Sequence, residues 1–244
     1  MPSKLPRIVA LFWVMKIAAT TLGETASDHL SHTLNLGYAL TAALLLGTFG
    51  IILALQLFSD KHRPFLFWSV MLATSILGTA LSDFMDRTLG LGYAGGSLIL
   101  VTLLICIFIY WRKSAGSLSV SDISTRREES LYWSTILISN TLGTALGDYL
   151  AESSGLGFSG SAKLIGGLLL LTLLLHFYTK ASKTALFWVA FVLTRPFGAT
   201  VGDSLTKPGT EGGLGLGTLN TSLILLAVLV ASILYSQHRD KQLA

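Results

Sequence analysis

One unit occurs four times in the chain, and no other feature restricts the possible folds as much. Trp13, Trp68, Trp133 and Trp188 each follow Phe or Tyr. Ten residues on stand Gly23, Gly78, Gly143 and Gly198; fourteen on, Ser27, Ser82, Gly147 and Gly202; fifteen on, Asp28, Asp83, Asp148 and Asp203. A Gly-containing turn follows, NLGY to Tyr38, GLGY to Tyr93, GLGF to Phe158, and GLGL to Leu216 after a three-residue insertion. An almost purely aliphatic run closes each unit. Each unit therefore reads as helix, Gly-x-x-x-small-Asp, Gly turn, helix, and four units predict eight helices.

Composition decides the solvent. Of 244 residues, 52% are hydrophobic and 12% charged, against about 25% charged in a soluble domain. The mean hydropathy is +0.66. Apolar runs at Tyr38 to Phe58, Phe65 to Leu81, Ser97 to Trp111, Leu164 to Tyr178 and Thr218 to Tyr235 are of membrane-crossing length once flanking Gly, Ser and Thr are included. They do not alternate, which excludes a β-barrel. The expected fold is an all-α integral membrane protein with eight transmembrane helices. The lone Cys106 excludes an intrachain disulfide. Lys4 and Arg7 before Ile8 to Met15 imitate a secretory leader, but Lys16 interrupts the apolar core and the same segment recurs downstream, so no leader is expected.

The tryptophan spacings are 55, 65 and 55, which divide the chain into two pseudo-symmetric halves. The expected organisation is a first half over 1–111, a Ser-rich charged linker over 112–130 and a second half over 131–244. Two helices per unit put all units in parallel orientation. Twelve of the 17 Lys and Arg (Lys4, Arg7, Lys61, Arg63, Arg112, Lys113, Arg126, Arg127, Lys180, Lys183, Arg239 and Lys241) then lie on one side. The positive-inside rule makes that side cytoplasmic, with both termini. Tryptophans at helix ends read as interface anchors.

The Gly-x-x-x-small pairs let helix backbones approach closely, so Gly23, Gly78, Gly143 and Gly198 are read as helix-packing positions, with the first helices central and the Leu-rich second helices facing lipid. From Trp13 to Asp28 is about 22 Å of helix, which sets the aspartates toward the outer leaflet. They could cap Gly-rich turns. Against this, a carboxylate at a helix C-terminus faces the negative end of the dipole. Four such groups on packed helices would also repel one another unless a cation, a proton or a basic side chain compensates.

Unit 1 adds Glu24, where the others have Thr79, Thr144 and Ala199, and Lys16, where they have Met71, Ile136 and Phe191. Unit 4 adds Arg195, where the others have Thr20, Ser75 and Asn140. Lys16, Thr20 and Glu24 form one stripe of a helix face. Lys16 and Arg195 are too costly to face lipid, and are read either as fixed counter-charges or as charges that regulate a transported cation. Thr20, Thr21, Thr74, Ser75, Ser139, Asn140, Thr141 and Thr194 form a polar band that suggests a hydrated path lined with oxygen ligands. Pro196 inside its helix predicts a kink or break. His29 and His32 flank Asp28 and could assist a metal at the entrance.

The four segments KIAATTLGETASD, MLATSILGTALSD, ILISNTLGTALGD and FVLTRPFGATVGD resemble a bacterial family of uncharacterised repeat-containing integral membrane proteins. The resemblance spans nearly the whole chain and implies a repeat-built helical bundle in the bacterial inner membrane. It supplies no substrate. From the residues, the expected function is cation transport, with divalent metal such as Mn²⁺ as substrate and Glu24, Asp28, Asp83, Asp148 and Asp203 as metal ligands, because hard cations prefer oxygen. Thr20 and Asn140 join them as candidate ion-binding residues, and protons could exchange for the metal. The alternative is a proton-coupled transporter of a small anionic or zwitterionic metabolite held by Lys16 and Arg195. No His-Glu-x-x-His or Gly-x-Ser-x-Gly pattern occurs, so no enzyme is expected. Nor is a tightly bound cofactor or a nucleic-acid partner; the expected partners are the lipid bilayer and the small substrate.

Overall fold

The computed structural model describes residues 5–33 and 35–242, and the side chains of His32, Thr33 and 240–242 are not described. Lys4 lies outside the described residues, as do the side chains of His32 and Lys241. Among the described residues there are eight α-helices: α1 (Ala10–Asp28), α2 (Tyr38–Phe58), α3 (Pro64–Asp83), α4 (Gly92–Ala115), α5 (Arg126–Asp148), α6 (Gly157–Tyr178), α7 (Lys183–Thr206) and α8 (Thr218–Gln242). No strand occurs among the described residues.

Helix ends follow local chemistry. Pro64 opens α3, where its missing N–H has no helical role. Gly116, at φ 75°, ends α4 in the left-handed region. The charged middle segment is shorter than its composition suggests: α5 already begins at Arg126, because Thr125 and Glu128 close a capping box. Glu128 N donates to Thr125 Oγ1 at 3.2 Å, and Thr125 N to Glu128 Oε2 at 3.0 Å. Thr125→Ala is expected to lower the unfolding free energy by about 1 kcal/mol, read by thermal unfolding in detergent, with Ser124→Ala as the milder control.

The first helices form a closed ring: α1 packs on α3, α3 on α5, α5 on α7, and α7 back on α1. The second helices lie outside, shifted by one unit. α2 covers α3, α4 covers α5, α6 covers α7, and α8 returns to cover α1. The five-residue link from α2 to α3 (59–63) makes these two antiparallel neighbours. Because each outer helix shields the next unit's inner helix, no unit completes its packing alone.

More than half of Leu44, Leu98, Leu170 and Leu223 on the outer helices is exposed. Exposed apolar side chains along these outer helices mark a surface for a membrane or for another protein. Among the described residues six helices (α2, α3, α4, α6, α7 and α8) are long and apolar enough to cross a membrane. α1, with Lys16, Glu24 and Asp28, and α5, which opens on Arg126, Arg127, Glu128 and Glu129, are not among them.

Three of the four repeat tryptophans are not lipid-facing anchors, and Trp13 is half-buried. Trp68, Trp133 and Trp188 are buried. The aromatic before each tryptophan packs on the tryptophan of a neighbouring unit, with ring centroids 5.6 Å apart for Phe12–Trp68, 5.3 Å for Phe67–Trp133, 6.2 Å for Tyr132–Trp188 and 5.7 Å for the closing pair Phe187–Trp13. This collar seals one end of the ring, and tilted and edge-to-face contacts favour such geometry.

At the other end the expected Gly turn does not follow the aspartate at once. A π-helical turn intervenes in units 1 to 3, over His29–Thr33, Phe84–Thr88 and Tyr149–Ser153. The aspartates Asp28, Asp83 and Asp148 therefore sit inside a helical run rather than at its end, and π-helical turns cluster at functional sites. α7 passes through Pro196 without a break. The proline ring packs closely on α5 at Gly143, where a Cβ would come within 2.9 Å of Pro196 Cδ.

Candidate functional site

Four glycines set how near the inner helices come. A Cβ on Gly23 would overlap Ser75 Cβ, one on Gly78 would lie 3.0 Å from Asn140 Cβ, one on Gly143 would overlap the Arg195 stem, and one on Gly198 would overlap Thr20 Oγ1. Every glycine thus receives the same position of the neighbouring unit: Thr20, Ser75, Asn140 or Arg195. Higher up the paired positions advance together, Gly147 meeting Ala199 and Gly202 meeting Glu24.

Residues four apart then project from each inner helix toward the ring axis. From the aromatic collar upward, the layers are Lys16, Met71, Ile136 and Phe191; then Thr20, Ser75, Asn140 and Arg195; then Glu24, Thr79, Thr144 and Ala199; then Asp28, Asp83, Asp148 and Asp203. All sixteen are buried. Bonds that cross the ring diagonally fix the axis. Lys16 Nζ on α1 donates to Asn140 Oδ1 on α5 at 3.2 Å, and an Arg195 Nη on α7 donates to Thr79 Oγ1 on α3.

The lower layers are packed, which corrects the expectation of a hydrated polar path. Asn140 Nδ2 donates to Thr74 Oγ1 at 3.0 Å and Ser75 Oγ at 3.3 Å. Thr20, Thr74, Ser75, Thr141 and Thr194 donate to backbone carbonyls one turn below; in a buried helix this satisfies a hydroxyl without a ligand. Lys16 Nζ also stands 4.1 Å from the centre of the Phe191 ring, a contact that partly offsets burial of the ammonium.

Arg195 is wholly enclosed. It donates to Glu24 Oε2 at 2.7 Å and to Thr144 Oγ1 at 2.6 Å, besides Thr79. Thr79 Oγ1 donates to the same Glu24 oxygen at 3.2 Å. Arg195 and Glu24 are therefore counter-charges to each other in this conformation.

The aspartate layer divides in two. Arg87 holds one side, with Nε 3.0 Å from Asp83 Oδ1, and Nη2 3.2 Å from Glu152 Oε1 and 4.0 Å from Asp148 Oδ2. Lys207 holds the other, its Nζ 3.4 Å from Asp28 Oδ2 and 3.7 Å from Asp203 Oδ1. Burial works against the Lys207 ammonium, but Asp28, Asp203 and Glu24 outweigh it and hold its pKa above the ordinary lysine range.

Glu24, Asp28 and Asp203 each offer an oxygen within 4.8 Å of the others. Asp83 and Asp148 are not in this cluster but on the Arg87 side of the ring. His29 turns away from the aspartates, its Nδ1 3.1 Å from Thr218 Oγ1. Arg87, Glu152 and Lys207 have no place in the motif reading, yet a signal for two of them was present. Arg87 and Lys207 each follow an aspartate at i+4, the spacing of helical ion pairs.

The architecture is thus a closed ring of four helical repeats around a buried charged axis, with six helices able to cross a membrane. Matches to one repeat family cover residues 11–62, 66–117, 131–182 and 186–241, and the chain belongs to that family, described as Repeat of Unknown Function (DUF347). No curated protein and no solved structure matches the chain.

Proposed function

We propose that the protein is a membrane transporter of cations, with divalent metal ions such as Mn²⁺ as substrate and protons as the exchanged species. One observation carries this reading: the buried cluster of Glu24, Asp28 and Asp203, with oxygens within 4.8 Å of one another. Oxygens that share one hard cation at about 2.0–2.6 Å lie at most about 5 Å apart, so these three can hold one ion together. The anionic-substrate alternative gains less support, because Arg195 and Lys16 are fully enclosed in the packed layers nearer the aromatic collar, with 0% exposure.

In this proposal the four units cross the bacterial inner membrane in the same sense, with both termini and the basic linkers in the cytoplasm. The advance of paired positions up neighbouring inner helices supports the common sense, and the lysine and arginine distribution supports the sidedness. The aspartate layer then opens outward while the aromatic collar closes the cytoplasmic end. Transport requires that the collar and the Arg195 layer open in a second conformation.

Flux into proteoliposomes across a panel of divalent cations, at two pH values, tests the reading. Saturable, pH-dependent flux is expected for the wild type. Asp203→Asn should abolish it, and Asp83→Asn, on the Arg87 side, should reduce it less. Absence of flux for every metal, with folded protein in the vesicles, removes the proposal.

A further inference from the structure

The three-carboxylate cluster already faces a cation, and that cation belongs to the chain. We infer that Lys207 is a tethered competitor for the transported ion: its ammonium occupies the position beside Asp28 and Asp203, and a metal ion enters only as the side chain swings out. The inference rests on the cation-transport reading and specifies how that site is gated.

Asp28 and Asp203 are 5% and 4% exposed, whereas the Lys207 side chain is 26% exposed. The lysine therefore stands between the carboxylates and the outside, and an ion arriving from that side meets it first. Its contacts, at 3.4 and 3.7 Å, are longer than a close charge-assisted hydrogen bond. They attract the ammonium without the tight geometry that would fix it.

Arg87 is held differently from Lys207. Both residues occupy the i+4 position after the aspartate of their unit. Arg87 makes a 3.0 Å bond to Asp83, a 3.2 Å bond to Glu152 and lies 5.5 Å from the centre of the Tyr93 ring. A planar guanidinium with several donors, held from several directions, is a clamp; a single flexible ammonium is not. One half of the aspartate layer is thus fixed and the other exchangeable.

The Lys207 backbone is pinned, while its side chain is held only through the ammonium, by Asp28 and Asp203. Lys207 N donates to Asp203 O at 2.9 Å, and Gly215 N donates to Lys207 O at 2.9 Å. Beyond it, Pro208 and the three-residue insertion replace the π-helical turn that follows the aspartate in units 1 to 3. The ammonium therefore stays at high effective concentration over the cluster and competes with any ion that binds there.

Mn²⁺ binding to the full-length protein in detergent, measured by titration calorimetry, decides the matter. Lys207→Gln is expected to tighten Mn²⁺ binding on the order of 10-fold, the usual size of coupling between two ligands, and Lys207→Arg, which puts a multi-donor clamp at the same position, to bind Mn²⁺ no more tightly than the wild type. Should the glutamine variant not fold, Lys207→Met keeps the aliphatic stem and repeats the test. Saturable binding of equal or lower affinity in the charge-removed variant overturns the competitor role and leaves the cation reading standing. No saturable binding in either protein, with unchanged thermal unfolding, removes the cation reading and this inference with it.

Discussion

Arg195→Met is expected to cost the folded ring about 3–5 kcal/mol, because it leaves Glu24 buried without its counter-charge. The guanidinium is 0% exposed and its partner carboxylate side chain 5%, so water cannot replace the lost contact. Thr79 and Thr144 lose a common donor in the same step. Unfolding of the purified protein in mixed micelles reads the loss. Glu24→Gln combined with Arg195→Met removes both charges, and the double variant should recover most of the stability, since replacing a whole buried pair is far cheaper than breaking one. Additive losses from the two substitutions would show that the pair is not coupled. The double variant should also lose metal flux, because Glu24 belongs to the three-carboxylate cluster.

Gly23→Ala should also be strongly destabilising, at about 1–3 kcal/mol, for a different physical reason. The added methyl overlaps Ser75 Cβ and lies 2.9 Å from the Ser75 carbonyl carbon. A backbone atom cannot rotate away as a side chain can, so α1 and α3 must separate. In a closed ring that displacement is passed to the other interfaces. Gly47 supplies the control: it lies inside α2, and nothing stands within 4 Å of a Cβ built there. Gly47→Ala should be neutral or stabilising by up to about 1 kcal/mol, the ordinary helix preference for alanine. A comparable loss at both positions would mean that α1 and α3 do not meet at Gly23.

Where the two charged residues of the core settle shows the limit of motif reading. The four-unit comparison aligns Thr20, Ser75, Asn140 and Arg195, and the periodicity puts Lys16, Thr20 and Glu24 on one stripe. It does not say that Arg195 meets Glu24, whose residues are 171 apart in the chain. Nor does it say that Lys16 crosses the ring to Asn140. The polar band was legible as a band, but its packing was not. A threonine bonded to its own helix and one facing a wet path have the same sequence. Arg87 and Lys207 were legible only as helical i+4 pairs, and such a pair is ordinary on any helix surface.

The sequence by itself determined the repeat, the helices and the face each inner helix turns to one side, since these depend on spacing along a single segment. It also determined that the exterior is apolar, which composition alone requires. Only the tertiary structure decided that each outer helix covers the next unit's inner helix, that the repeat tryptophans and the aromatics before them close one collar, and that the four aspartates divide between Arg87 and Lys207. The physical reason is common to all three. In a chain apolar on nearly every face, hydropathy does not separate a surface against lipid from one against another helix. Which unit is the neighbour is fixed by the fit of glycine against side chain around a ring, a property that no one segment contains.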